Sequence, residues 1–479
     1  MRLSQFFGRL WVVSALATGA VVHAAEINVS SSKELAAALK TPQPGDTIVL
    51  KDGDWPNAGI RFRGQGTPDR PITLRAQTVG GAKLIGQSWI RMFGRHLVVE
   101  GLTFERGYSE GADIIQFRED SDEPAEQCRV TRCSIVNFNP PPGDDTSCRW
   151  IRFDGASNRL DHCYFEGKSN YGNTVCVELR ERPNYHRIDH NHFGPRPPLG
   201  RNGGETIRIG DSEVSMQNSR TIIEDNLFEE CDGEVEIISS KSCENIFRRN
   251  TFRNCDGTLT LRHGNRNRVE ANWFLGGGKS GAGGVRVIGE GHWVINNYFS
   301  ELPGDALRGA ICVMAGDKNA KLSGYGPVKG GVIAFNTLIE CKQPIVVGAR
   351  YRKAVVAPTH VQVIGNLIYN KRKGAKVKFA EAGEGLRVEG NLYFGKVSLQ
   401  TRPGLAEEEM VKLVEWKGDA LRLERAFPIS FQQDKPITLV DIEGEDRRGG
   451  YHAGCDQFSD FQGANRPLTK NDVGPGADR

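Results

Sequence analysis

The sequence predicts an all-β chain wound as a single right-handed parallel β-helix, with a short N-terminal capping helix. Three observations predict it. A segment of alternating apolar and polar residues recurs, followed by Asn or Cys and then an aromatic or aliphatic residue two places on. It ends at Phe104, Ile135, Phe165, Phe193, Phe228, Phe252, Phe274, Phe299, Leu338, Tyr369 and Tyr393. Most spacings lie between about 22 and 31 residues, one coil of a solenoid. The segments are rich in Val, Ile, Thr and Phe with period-two alternation, a strand signal that argues against helical repeats. Finally, 57 glycines, 8% aromatic and 25% charged residues describe a soluble, turn-rich chain. At 479 residues the chain is long enough for two or three ordinary domains, but a solenoid absorbs that length in one continuous core.

Taken in order, the chain opens with Arg2 and Arg9 ahead of an apolar run from Leu10 to Val22, then Ala24 and Ala25 before Glu26. This is a secretory signal pattern over 1–24, and the run is too short to span a bilayer. The expectation is a secreted or periplasmic protein with no membrane contact after signal removal. Ser31 and Glu34 have capping-box spacing ahead of a helical apolar pattern. That helix is expected to cap the solenoid, and residues 25–400 to form the β-helix catalytic domain. Asn suits the recurrent bend because it tolerates left-handed backbone and its amide bonds between coils. Beyond Tyr393 the repeat fades. There "LAEEEMVKLVEW" reads as helical, and 401–479 is expected to supply C-terminal coils and a capping segment, its polar residues from about Gly450 closing the far end.

The 11 cysteines all lie outside the leader, so complete intramolecular pairing is impossible. Cys231 and Cys255 occupy equivalent repeat positions, which favours buried stacking, and no CxxC pair supports a zinc site. A formal charge of +3 excludes a dense nucleic-acid footprint and leaves any acidic partner to a local patch. A monomer is expected.

Three consecutive segments carry the chemistry: "RNGGETIRIG" (201–210), "DGEVEIISSKS" (232–242) and "DGTLTLRHGNRNR" (256–268), followed by "GGVRVIG" (283–289). Strand alternation turns Val235 and Ile237 inward and Glu234 and Glu236 outward, and it turns Arg262 and Arg286 outward on their own coils. Equal spacing places Arg262 and Arg286 at matching positions on neighbouring coils, about 4.8 Å apart. Two adjacent carboxylates repel unless a cation lies between them, and a hard cation with oxygen ligands, Ca2+, answers this. Asn202 offers a neutral amide oxygen beside them. A solvated glutamate face balanced by arginines is the plain alternative.

The three motifs, in this order, resemble the core of polysaccharide lyase family 6, the alginate lyases and chondroitinase B. The resemblance implies a calcium site at Asn202, Glu234 and Glu236, a catalytic base at Lys241 and a catalytic acid at Arg262. It also implies substrate binding by Arg208, His263 and Arg286, with Glu205 bordering the site. The chain is too short for the second full-length β-helix of some members, so the single-solenoid form is implied. The implied activity is calcium-assisted β-elimination on an acidic polysaccharide, alginate first and dermatan sulfate second. In that reaction Lys241 acts as a neutral amine, a form that a nearby cation and arginines favour. A guanidinium is a poor proton donor, so Arg262 as an electrostatic stabiliser of the departing oxygen stands beside Arg262 as acid. Alternation points His263 away from Arg262 unless the chain turns at "HG". The rivals are a glycoside hydrolase using Asp232 and Asp256, better explained as turn residues, a uronate C5-epimerase, and a noncatalytic glycan-binding solenoid.

Overall fold

The computed structural model of the chain describes residues 24–477 apart from 111–112, 120–122, 145, 181, 380–381, 401–404, 409–411, 430–437, 439, 448–449, 460 and 462. All but the last residue of the leader expected over 1–24 therefore lies outside the described residues. Among those described, no helix is long and apolar enough to cross a membrane.

The architecture is a parallel β-helix whose coils each contribute three short strands. One coil runs Ile222–Glu224, Leu227–Glu229 and Glu236–Lys241, and the next runs Ile246–Arg248, Thr251–Arg253 and Thr258–His263. The first strand of each coil joins a 14-stranded parallel sheet from Glu26–Val29 to Arg387–Glu389. The second and third strands build the other two faces, which merge through the long strand Leu367–Lys378. Alternate residues face inward and stack in columns. Phe165, Phe193, Phe228, Phe252, Phe274 and Phe299 stack at centroid distances of 4.6 to 5.2 Å, an offset-stacked geometry that adds to their burial.

At the corner after the first sheet, Asn191, Asn226, Asn250, Asn272, Asn297, Asn336, Asn366 and Asn391 form a ladder. Each amide nitrogen donates to the next asparagine's oxygen, at 2.8 to 3.1 Å. The left-handed residue is the one before each rung: His190, Asp225, Arg249, Ala271, Asn296 and Phe335 have φ between 53° and 56°. Asparagine is thus selected at the bend for its buried amide, and the expected left-handed role falls to its neighbour.

The capping helix is Ser32–Ala38, with Ser31 Oγ accepting from Glu34 N at 3.3 Å and Leu35 buried on the first coils. The Glu34 carboxylate reaches back to Ser30 N at 2.7 Å, one residue beyond the usual reciprocal bond. The helix expected over 405–416 is absent among the described residues. Leu405–Glu408 pairs parallel with the strand Asn391–Gln400, and Leu413–Glu415 pairs antiparallel with Leu421–Leu423. The open edge of the last coil offers unpaired backbone groups, and that ladder overrides a weak local helical preference.

The chain's final stretch does not close the far end; it runs back along the flank. Cys455 N donates to Thr337 Oγ1 at 3.0 Å, Asn465 accepts from Trp273 Nε1 at 3.1 Å, Leu468 N donates to Thr251 Oγ1 at 2.8 Å and Gly474 N to His190 O at 2.9 Å. An apolar strip on the outside of the coils dictates this path: Trp273, Tyr298, Leu367 and Phe394 pack with Leu423, Phe427, Ile442 and Cys455. All eleven cysteines are buried and free.

Candidate active site

The site lies on the third face, where Ile207–Ile209, Glu236–Lys241, Thr258–His263 and Val285–Val287 are consecutive neighbours. Ile207, Ile238, Leu259 and Val285 stack inward, so Arg208, Ser239, Thr260 and Arg286 form one outward row. Arg262 and Arg286 are therefore not at matching positions: Thr260 is opposite Arg286, because the coils differ in length. Val235 lies in a half-exposed bend before the strand, whereas Ile237 is buried in the core as expected, together with Ile238 beside it.

Two irregularities in the pairing of Glu236–Lys241 with Thr258–His263 assemble the site. The first falls between Glu236 and Ile238, and the second between Ser240 and Lys241, where the partner strand holds an extra residue. An extra residue in a ladder re-aims the side chains around it. Here it swings His263 opposite Lys241, on the same side as the site and not away from it.

Glu205, Glu234 and Glu236 converge, each offering a ligand atom within 4.8 Å of the others. Glu234 Oε2 accepts from Gly203 N at 2.7 Å and Gly204 N at 3.1 Å. Gly204 and Gly233 permit this approach, since a Cβ on either would collide with the other's carbonyl oxygen. Burial, then the charges of Glu205 and Glu236, push the Glu234 carboxyl up to about 7. Glu236 is paired with Arg286, accepts from Ser239 Oγ at 2.5 Å and lies 3.9 Å from Arg262 Nε. Glu205, expected to border the sugar, is buried as the third carboxylate. It accepts from Asn173 Nδ2 at 2.7 Å and lies 3.9 Å from Lys241 Nζ. Asn202 is exposed on the wall of a 390 Å³ groove that Glu234, Asp232 and Asp256 also line.

Lys241 is partly exposed at the end of its strand. His263 is buried, with Nε2 3.3 Å from Ser212 Oγ and Nδ1 3.4 Å from Arg262. Burial, then Arg262 and Lys241, lower its imidazole to about 3, so it is neutral near pH 7. Arg208 donates to Cys176 Sγ at 3.0 Å and to Glu178 at 3.4 Å. Asp232 and Asp256 are engaged by Lys279 and Arg308 in ion pairs.

A family model described as Chondroitinase B matches residues 29–425. The chain belongs to the chondroitinase B family, polysaccharide lyase family 6. The PL6 alginate lyase AlyGC is 38% identical with a TM-score of 0.80, over 84% of this chain and 55% of that one. The present chain thus spans about half the length of AlyGC. A mannuronic acid specific family 6 lyase from human gut microbiota is 33% identical with a TM-score of 0.74, over 81% of this chain and 92% of that one. The PL6 lyase Pedsa3628 from Pseudopedobacter saltans is 25% identical with a TM-score of 0.70, over 95% and 100% respectively. Among curated proteins no sequence matches.

Within this family member, sequence reasoning missed the supports of the carboxylates. Buried Arg196 donates to Glu205 O at 2.8 Å, Gly172 O at 2.9 Å and Thr174 Oγ1 at 3.1 Å, fixing the backbone beneath Glu205. Arg196, bridged to Cys231, and Asn173, in an irregular connection, belong to no repeated motif, so spacing alone gave no signal for them. Ser239 stood in plain view in "IISSK", and its place two residues before Lys241 on the outward row is the signal that identifies it.

Proposed function

We propose that the protein is a polysaccharide lyase that cleaves alginate by β-elimination, with a calcium ion held by Glu205, Glu234 and Glu236 and with Asn202 at its rim. The convergence of three carboxylates beside a lysine and two arginines carries this reading. The donor set fits: three converging carboxylates give hard oxygen ligands, which suit a hard divalent cation. When bound, such a cation neutralises the uronate carboxylate and so acidifies the adjacent C5–H. Glu205 accordingly joins the expected ligand set in place of a sugar-contacting role.

Lys241 Nζ takes the C5 proton on its lone pair. The C5–H electron pair forms the C4=C5 double bond, the C4–O4 bond breaks, and O4 leaves with a proton. Arg262, whose guanidinium stays charged, stabilises the negative charge developing on O4, and water supplies the proton. His263, with Nδ1 facing Arg262 and Nε2 facing Ser212, borders the sugar site by supporting Arg262. Arg208 and Arg286 share one outward row with Ser239 and Thr260 between them; Arg208 is the one offered to the polyanion's carboxylates, while Arg286, buried and paired with Glu236, holds that ligand in place. A C5-epimerase would share the proton abstraction but needs a second proton donor on the opposite face of the ring.

The signal pattern at the N-terminus supports an exported protein, where polymeric alginate is accessible. Alginate is preferred over dermatan sulfate because AlyGC is an alginate lyase and the gut enzyme is specific for mannuronic acid. The test is ultraviolet absorbance of unsaturated uronate ends on incubation with alginate and with dermatan sulfate, with calcium and with a chelator. A calcium-dependent rise on alginate is expected. No rise on any uronate polymer refutes the lyase, and a rise only on dermatan sulfate moves the substrate.

A further inference from the structure

Arg262 leaves the sheet beside the second irregularity, and its guanidinium is met by a loop that the chemistry above does not use. After the strand Ile311–Met314 the chain makes an excursion before re-entering the first sheet at Val332–Ala334. On that excursion Gly324 O accepts from Arg262 Nη1 at 3.1 Å and Ser323 O accepts from Nη2 at 3.4 Å. The Tyr325 ring lies 4.2 Å from the guanidinium carbon.

Tyr325 is itself held. Its N–H donates to Asp317 Oδ2 at 2.9 Å, and its ring meets Tyr351 edge-on, with centroids 5.6 Å apart. Gly316–Asp317 pairs antiparallel with Ala354–Val356, joining this excursion to the segment that follows the strand Ile345–Ala349 in the next coil. Both rings pack on an apolar patch of Ile288, Cys312, Met314 and Val346. That patch explains why the outward row turns apolar just past Arg286, where Cys312 and Val346 follow it.

We propose that Tyr325, with the carbonyls of Ser323 and Gly324, is a positioning clamp for Arg262. An arginine has many rotamers, and fixing one removes an entropic cost that would otherwise fall on the reaction. Each carbonyl takes up one Nη proton and the ring supports the plane, which leaves the second Nη2 proton and the Nε–H, 3.9 Å from Glu236, available to the site. The proposal rests on the reading of Arg262 as the group that stabilises O4.

The test compares the full-length parent protein with Y325A, Y325F, R262A and Y325A/R262A, each with saturating calcium. Y325A is expected to lower kcat about 10- to 100-fold with KM within about threefold of the parent, the scale of a misplaced catalytic group. Y325F, which keeps the ring, is expected within about threefold of the parent kcat. The double variant is expected to be no slower than R262A. A Y325A variant with parental kcat, or a double variant slower than R262A by the full Y325A factor, overturns the clamp. R262A with parental kcat overturns the role of Arg262 on which it rests. Amide hydrogen exchange across 317–326 reads the same contact without turnover. Faster exchange in R262A supports the clamp even if no polymer is cleaved, in which case the lyase reading alone fails; unchanged exchange overturns it.

Discussion

Glu234 carries the sharpest conflict at the scale of single residues. Its carboxylate is satisfied by two backbone N–H groups yet confined beside two others, and its carboxyl stands near 7. A carboxyl raised in the folded state favours the protonated form. The cation-free protein therefore has this contribution in full below the ordinary carboxylate range, and loses it as pH rises through about 7. A bound cation favours the ionised form and reverses the trend. The rise in Tm on adding calcium is accordingly expected to be larger at pH 8 than at pH 5; an equal rise at both contradicts the assignment of Glu234 as a ligand. Glu234 and Glu236 were legible in the sequence as an adjacent outward pair. Glu205 was legible only as a neighbour, because its place depends on Asn173 and Arg196 and on the meeting of Gly204 with Gly233, contacts that no local pattern encodes.

Among the elements, the asparagine corner and the paired strands of the site behave differently under sequence reasoning. The corner repeats a fixed residue at a fixed step, so its buried ladder could be read directly. Asn250 is fully buried and bonded to both neighbours. Asn250→Ala is expected to cost about 1–3 kcal/mol, because it removes the buried oxygen that accepts from Asn226 N and Nδ2 and the amide that donates to Asn272 Oδ1 and Ile223 O. Chemical denaturation checks this, and a loss below about 0.5 kcal/mol would mean that the ladder is decoration. The site strands are harder to read because function sits at their irregularities. Alternation placed Glu234, Arg262 and Arg286 on the outside, but uniform spacing misaligned Arg262 with Arg286 and aimed His263 away from the site. A one-residue shift in pairing changes which face a side chain meets, and it leaves no mark in residue type.

For the whole molecule, the period alone disclosed the solenoid, while the returning C-terminal segment stayed hidden. Its partners, Thr251, Trp273, Tyr298 and Thr337, lie far upstream, and its own sequence has no repeat to align with them. The repeat's outward aromatics were the physical reason for such a cover, since Trp273 and Tyr298 are too apolar to leave in water. Truncation after residue 412 is expected to expose that strip, seen as raised binding of a hydrophobic dye and lowered Tm. A truncated chain with the parental Tm and no added dye binding contradicts the cover. The solenoid's remaining task is to hold Lys241 beside the carboxylates on a rigid face, 3.9 Å from Glu205. The decisive measurement is the initial rate of unsaturated-uronate formation from alginate by K241A against the parent, both saturated with calcium. A loss of about 10²- to 10⁴-fold is predicted for removal of the base, with the calcium-induced rise in Tm intact; a K241A rate within about threefold of the parent contradicts it.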